Sequence, residues 1–237
     1  MITLTGKSAC GGIAIGQISF YKRKRYLVEY RRIQDVEAEI ARFEAARTLA
    51  LDQIHALCQK ATQAVGKENA MIFHVHQRML EDPDYCESVT GRIRTEQVTA
   101  EYAVSATADQ FAQMFASLDD AYMQERAMDV KDISARVLGI LSGQGNGRAG
   151  TETPSIIAAD DLVPSETVQL DKGKVLGFAT MYGAPTSHTA ILARTMNIPA
   201  VIGLGENLKE EYDGKQAVID GFTGMVYICL LYTSRCV

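Results

Sequence analysis

The sequence predicts an α/β domain interrupted by an inserted all-α domain of four helices. Three observations carry this. Residues 1–20 are β-like, residues 33–143 show the 3.6-residue apolar period repeatedly around a single proline, Pro83, and residues 154–228 alternate short strands with helical runs.

Taken in order, Ile13-Ala14-Ile15-Gly16-Gln17-Ile18-Ser19-Phe20 mixes β-branched residues with glycine and reads as a strand. Residues 22–32 are basic and poor in apolar residues, and are expected to be the outgoing linker. Ile33, Val36, Ile40 and Phe43 continue to Leu51, Ile54 and Leu57 on one helical stripe. A break at Gly66-Lys67-Glu68 precedes a second helix carrying Met71-Ile72-Phe73 and Met79-Leu80. Pro83 is expected to end it, because the residue before a proline avoids the α region. Two more helices are expected over Ala100–Phe115 and Ala121–Leu141. The return linker is 143–150, with four glycines in eight residues. Strands are then expected at 155–159, 174–179, 200–203 and 216–220, with a turn at 221–224 into a last strand at 225–228. The domains that follow are 1–21 with 149–228, and 33–143 between them.

Composition narrows the function. A chain of 237 residues, 47% apolar and 22% charged, is an ordinary globular protein with room for two cores. Its net charge of −5 argues against nucleic acid as a partner and suits a basic protein surface. No apolar run approaches the roughly 20 residues of a membrane span. The opening Met1-Ile2-Thr3-Leu4 does not read as a signal peptide. The five cysteines, Cys10, Cys58, Cys86, Cys229 and Cys236, lack metal-ligand spacing and are expected to be reduced thiols in a cytoplasmic protein. Cys229-Leu230-Leu231-Tyr232-Thr233-Ser234 reads as translated adapter sequence. Residues 229–237 are therefore expected to be non-native, with the natural chain continuing past Ile228.

The chemistry gathers around one imidazole, in Gly183-Ala184-Pro185-Thr186-Ser187-His188-Thr189-Ala190-Ile191-Leu192-Ala193-Arg194. Small and polar residues lead into His188 and an amphipathic helical run leaves it. That pattern places His188 at a helix N-terminus, where unpaired amides and the positive dipole end favour an anion. A neutral imidazole is a good nucleophile near pH 7, its ordinary pKa being about 6.5.

This segment, continued by Ile198-Pro199-Ala200-Val201-Ile202-Gly203, resembles the phosphohistidine motif of the phosphoenolpyruvate-utilising enzymes. It departs from that pattern at Ala184, where a second glycine is usual, and at Pro185, where arginine is common. The rest of the chain is similar to the N-terminal half of the enzyme I family of the bacterial phosphotransferase system, the phosphoenolpyruvate–protein phosphotransferases. The similarity rests on Gly11-Gly12-Ile13-Ala14-Ile15-Gly16, on Ile72-Phe73 with His76 and Met79-Leu80-Glu81-Asp82, on Tyr122–Ile133 and on Leu162-Val163-Pro164-Ser165-Glu166-Thr167.

The resemblance implies an α/β swivelling phosphohistidine domain carrying an inserted all-α, four-helix, partner-binding domain. It implies that Nε2 of His188 accepts a phosphoryl group from phosphoenolpyruvate and passes it to the phosphocarrier HPr in sugar uptake. Thr167 and Ser187 are the expected supporting residues. Glu68, His76, Met79, Leu80, Asp84, Tyr85, Phe115 and Arg126 are the expected partner-binding residues. Asn69 and Arg78 stand where the family more often has a lysine and an apolar residue. Arg194 is expected to be a solvated surface residue. His74 and His76, two apart on a helix, diverge, and Asp129 and Asp132 share a face without a third ligand, so no metal is expected in this chain. The phosphoenolpyruvate-binding barrel, its Mg²⁺ and the homodimer contact are expected to lie beyond it. Two other readings stay open: the swivelling domain of a pyruvate phosphate dikinase or phosphoenolpyruvate synthase, and a non-enzymatic regulatory module.

Overall fold

The computed structural model describes residues 1–21, 26–143, 153–185 and 187–229. The chain separates into two compact units, Met1–Arg23 with Arg148–Val237, and Lys24–Gly147.

The second unit is helical. Helix α1 (Val36–Val65) starts where Asp35 accepts the Ala38 amide at 3.0 Å. Its buried face is Phe43, Ala46, Ala50, Ile54, Leu57, Cys58 and Ala61, while Ile33, Val36, Ile40 and Leu51 are only partly buried. Over 30 residues small alanines thus take core positions that the apolar stripe assigned to larger side chains. Gly66, at φ 86°, adopts backbone that a side chain resists and separates α1 from α2 (Lys67–Glu81). Asp82 then accepts from the amides of Asp84 and Tyr85 and starts α3 (Pro83–Glu96), with proline at its first position. The Asp82-Pro83 stop signal is therefore also a start signal, and the described residues of this unit form five helical segments rather than four. Thr99 caps α4 (Ala100–Ala116), and α5 (Ala121–Leu141) closes the unit.

Residues 31–33 are not free linker. The Ile33 amide donates to Gln97 O at 2.8 Å, the Thr99 amide donates to Arg31 O at 3.2 Å, and Arg32 bridges Val98. The helical unit therefore begins before residue 33. The remaining linker expectations, 22–25 and 144–150, lie outside the described residues.

Among its described residues the first unit forms one eight-stranded sheet in the order β1-β8-β7-β3-β4-β5-β6-β2. Its strands are β1 (Ile2–Thr5), β2 (Lys7–Cys10), β3 (Ile13–Phe20), β4 (Ser155–Ala159), β5 (Val175–Thr180), β6 (Ala200–Ile202), β7 (Gln216–Asp220) and β8 (Met225–Ile228). Strands β3, β4, β5 and β6 are parallel and the outer pairs antiparallel. Every residue of β4 is buried, as expected of a central parallel strand covered on both faces. The core beneath β3, β7 and β8 is Leu4, Ala14, Ile18, Ile219, Val226 and Ile228 with Leu208 and Tyr212. Two helices leave the carboxyl ends of the parallel strands: α6 (Pro164–Thr167) after β4, and α7 (His188–Met196) after β5. In open α/β sheets that edge is where ligands bind.

Candidate active site

Helix α7 begins at His188. Ser187 is its N-cap, at φ −63° and ψ 156°, and its Oγ accepts the Ala190 amide at 3.3 Å. The Ile191 amide donates to Ser187 O at 3.0 Å, closing the first turn. Thr189, Ala190, Leu192, Ala193 and Met196 are buried, so the helix is held by one face. His188, at the first helical position, keeps partial exposure. Asn197 ends the helix in the left-handed conformation.

The loop before it is built from the ends of β4 and β5. The Met181 and Tyr182 amides donate to Ala159 O and Asp160 O, and Leu204 N donates to Thr180 O. Gly183, at φ 120°, makes the turn. Ala184 has no positive φ, so the alanine that departs from the family pattern sits in backbone that suits it. The Ser187 amide donates to Ala184 O at 2.8 Å. Arg194 Nη2 donates to Pro185 O at 2.6 Å. Arg194 is exposed, as expected of a solvated surface residue, and its guanidinium also ties the loop to the helix that follows it. Thr186 lies outside the described residues.

Helix α6 packs beside α7. Thr189 Oγ1 lies 3.2 Å from Leu162 O and 3.3 Å from Asp161 Oδ1, so its one proton is shared between them. Glu166 Oε2 accepts the Val163 amide at 3.0 Å. Thr167 is buried, and its hydroxyl donates to Pro164 O at 2.9 Å. A threonine whose proton is spent this way presents lone pairs, and so acts as an acceptor.

The expected partner residues divide. Glu68, in the first turn of α2, and Asp84, in the first turn of α3, are exposed; Met79, Phe115 and Arg126 are partly exposed. His76, Leu80 and Tyr85 are not available as contacts. They are 1%, 0% and 2% exposed and belong to the core of the helical unit. Tyr85 bonds Ser134 Oγ at 2.8 Å and meets the Phe111 ring edge-on. His76 bonds Asp129, which also pairs with Arg126. Sequence reasoning left that cluster unassembled because its members lie 53 residues apart. The available signal was polar residues, Asp129, Asp132 and Arg136, at the core period of α5. Among the described residues no three His, Cys, Asp or Glu side chains gather as a metal site, and no helix is long and apolar enough to cross a membrane.

A histidine opening a capped helix at the carboxyl edge of a parallel sheet, in a chain that also folds a separate helical unit, points to a class. The chain belongs to the phosphoenolpyruvate-utilising enzymes: residues 5–126 match the family's N-terminal domain and residues 151–224 its mobile domain. Within that class it corresponds to the N-terminal part of enzyme I. It is 40% identical over 232 residues to a phosphoenolpyruvate-protein phosphotransferase of Bacillus sp. (strain S), covering 95% of this chain and 39% of the relative. The protein of the same name from Bacillus subtilis (strain 168) is 37% identical, with 96% and 40% covered. The solution structure of an Enzyme I (nEIt) protein superposes with a TM-score of 0.75 at 38% identity, covering 95% of this chain and 92% of that one. The N-terminal domain of a nitrogen enzyme 1 shares the fold, with a TM-score of 0.64 at 24% identity, over 95% and 93% of the two chains. The chain spans about two fifths of the length of the curated relatives it matches.

Proposed function

We propose that this chain carries the phosphohistidine step of a cytoplasmic phosphoenolpyruvate–protein phosphotransferase: His188 takes a phosphoryl group that originates in phosphoenolpyruvate and gives it to the phosphocarrier HPr, in service of sugar uptake. The observation that supports this most is the placement of His188 at the first position of a capped helix, within the segment that matches the family's mobile domain. The Nε2 lone pair attacks phosphorus while the bond from phosphorus to the leaving group breaks. The first-turn amides of α7 and its dipole offset the charge that arrives. Catalysis of such transfers is largely positioning and charge stabilisation.

Thr167 suits an orienting role. Its proton is committed to Pro164 O, so it can accept from an imidazole N–H and hold the ring's other nitrogen toward phosphorus. Glu68 and Asp84, which are exposed, and Met79, Phe115 and Arg126, which are partly exposed, remain as carrier contacts. Phosphoenolpyruvate, Mg²⁺ and dimerisation belong to sequence outside this chain. Incubation with phosphorylated HPr is expected to add the mass of one phosphoryl group at His188, seen by mass spectrometry. Phosphoenolpyruvate and Mg²⁺ alone are expected to add none. His188→Ala should abolish labelling while the circular dichroism spectrum stays unchanged. Absence of labelling by the charged carrier overturns the reading.

A further inference from the structure

The helical unit buries a polar cluster that phosphoryl transfer at His188 does not use. His76, on α2, is 1% exposed. Its Nε2 lies 3.1 Å from Asp129 Oδ1 and its Nδ1 lies 3.9 Å from Asp132 Oδ2, both on α5. A carboxylate only accepts, so Nε2 carries a proton and donates to Asp129. The Phe73 ring stands edge-on at 5.9 Å from the imidazole and limits its rotation. The second oxygen of Asp129 accepts from Arg126 Nη1 at 2.9 Å. Asp129 is thus held on one oxygen by a buried imidazole and on the other by a guanidinium. Arg126, with its side chain 13% exposed, is the member of the three that reaches the surface. Arg136 is buried too: its Nη1 bonds Gln53 Oε1 at 2.9 Å, and burial lowers its pKa against the opposing pull of Asp132.

We propose that His76 is a positioning residue for partner recognition, acting through Asp129 to fix the direction of the Arg126 guanidinium. This rests on the reading above, in which Arg126 contacts the carrier. A guanidinium is a rigid planar fork, and a carboxylate fixes it only when the carboxylate is itself held. Remove the imidazole, and Asp129 Oδ1 loses the hydrogen bond it takes from His76 Nε2 inside the core. The carboxylate then rotates about its own side chain and takes Arg126 with it. The family-like sequence around His76 therefore serves the partner surface from inside the core and not by contact.

The test is a double-mutant cycle in the full chain, reading affinity for unphosphorylated HPr by calorimetry. His76→Leu is expected to weaken binding about tenfold, the scale of one charged hydrogen bond. His76→Gln, whose amide nitrogen reaches the Nε2 position, should stay within about threefold of the wild type. In an Arg126→Gln background His76→Leu should cost nothing further, since the residue it acts through is gone. An equal loss in both backgrounds would show a general packing effect and overturn the proposal; so would unchanged affinity in a folded His76→Leu protein. A second readout needs no partner. In the nitrogen-15 spectrum of the chain alone, Arg126 Nη protons should exchange slowly in the wild type and in His76→Gln, and fast in His76→Leu. Fast exchange in the wild type, or loss of the slow signals in His76→Gln where His76→Leu does not fold, also overturns it. Failure of the wild type to bind HPr is a different result: it removes the carrier reading and leaves the arginine signals to report on the clamp.

Discussion

Arg194 donates to the carbonyl of Pro185 at 2.6 Å, across nine residues. A helical side chain leans toward the N-terminus, so a guanidinium in the second turn of α7 reaches back over the N-cap to the loop ahead of it. The bond ties residue 185 to the helix that carries His188. Arg194→Gln keeps a good helix former but shortens the reach. Phosphoryl exchange between His188 and phospho-HPr is expected to slow about tenfold, since misplacement by a fraction of an ångström is costly in group transfer. The loss should fall on kcat and not on KM, with the melting temperature almost unchanged. Added guanidinium ion should restore part of the rate in Arg194→Ala. A rate unaffected by Arg194→Gln would make the contact incidental.

Ala184 is the most visible departure from the family motif, and it sits in backbone that an alanine adopts without strain. The turn is taken at Gly183, with φ 120°, while Ala184 has no positive φ and accepts the Ser187 amide. Restoring glycine should therefore not improve the enzyme. Ala184→Gly is expected to lower stability by about 0.5 kcal/mol, through added freedom in the unfolded chain, and to leave the exchange rate within about twofold. Thermal melts and rapid-quench exchange read the two effects separately. A gain of tenfold or more in rate would mean that alanine distorts the loop during turnover.

Most elements of both units were legible in the sequence because their signals are local. The strands 155–159, 216–220 and 225–228 and the helix 121–141 fall where β-branched runs and the 3.6-residue period put them. His188 followed from small polar residues meeting an amphipathic run, and Ser187 is the cap that such a run needs. What escaped was pairwise and distant. Asp82-Pro83 ends one helix and begins the next: the backbone leaves the helical region at Asp82, whose side chain then caps the helix that follows. Leu80 and Tyr85 look like exposed apolar anchors in a family motif, yet the helical period turns both inward. The link from His76 to Asp129 joins two helices, and no spacing rule within one helix reports it.

Thr167 separates orientation from stability. Its hydroxyl is buried and its proton is spent within α6 on Pro164 O. Thr167→Val keeps the shape and deletes the oxygen, and should cost about 1 kcal/mol of stability. If Thr167 also accepts from the imidazole of His188, the exchange rate falls about tenfold or more, well beyond what that modest loss explains in a protein still folded at 25 °C. Thr167→Ser keeps the oxygen and should keep most of the rate. Stopped-flow exchange with phospho-HPr, alongside urea unfolding, checks both. Equal rates for the valine and serine variants would leave Thr167 a structural cap.

Tyr85 gives the helical unit a pH signature. Burial raises its phenol pKa above the ordinary value of about 10, opposed by the hydrogen bond to Ser134. The folded state therefore binds the phenol proton more tightly than the unfolded chain does. That contribution is fully present below about pH 10, where both states hold the proton, and is lost as pH rises from there toward the folded value. The unit should unfold more readily in mild alkali, with a slope that Tyr85→Phe removes. The same substitution strips Ser134 of its partner and should cost about 1 kcal/mol at neutral pH. Because Tyr85 is 2% exposed, HPr affinity should be unchanged in Tyr85→Phe. Denaturation followed by circular dichroism between pH 7 and about pH 11, with calorimetric titration of HPr at pH 7, reads all three. A tenfold loss of affinity with stability intact would return Tyr85 to the partner surface.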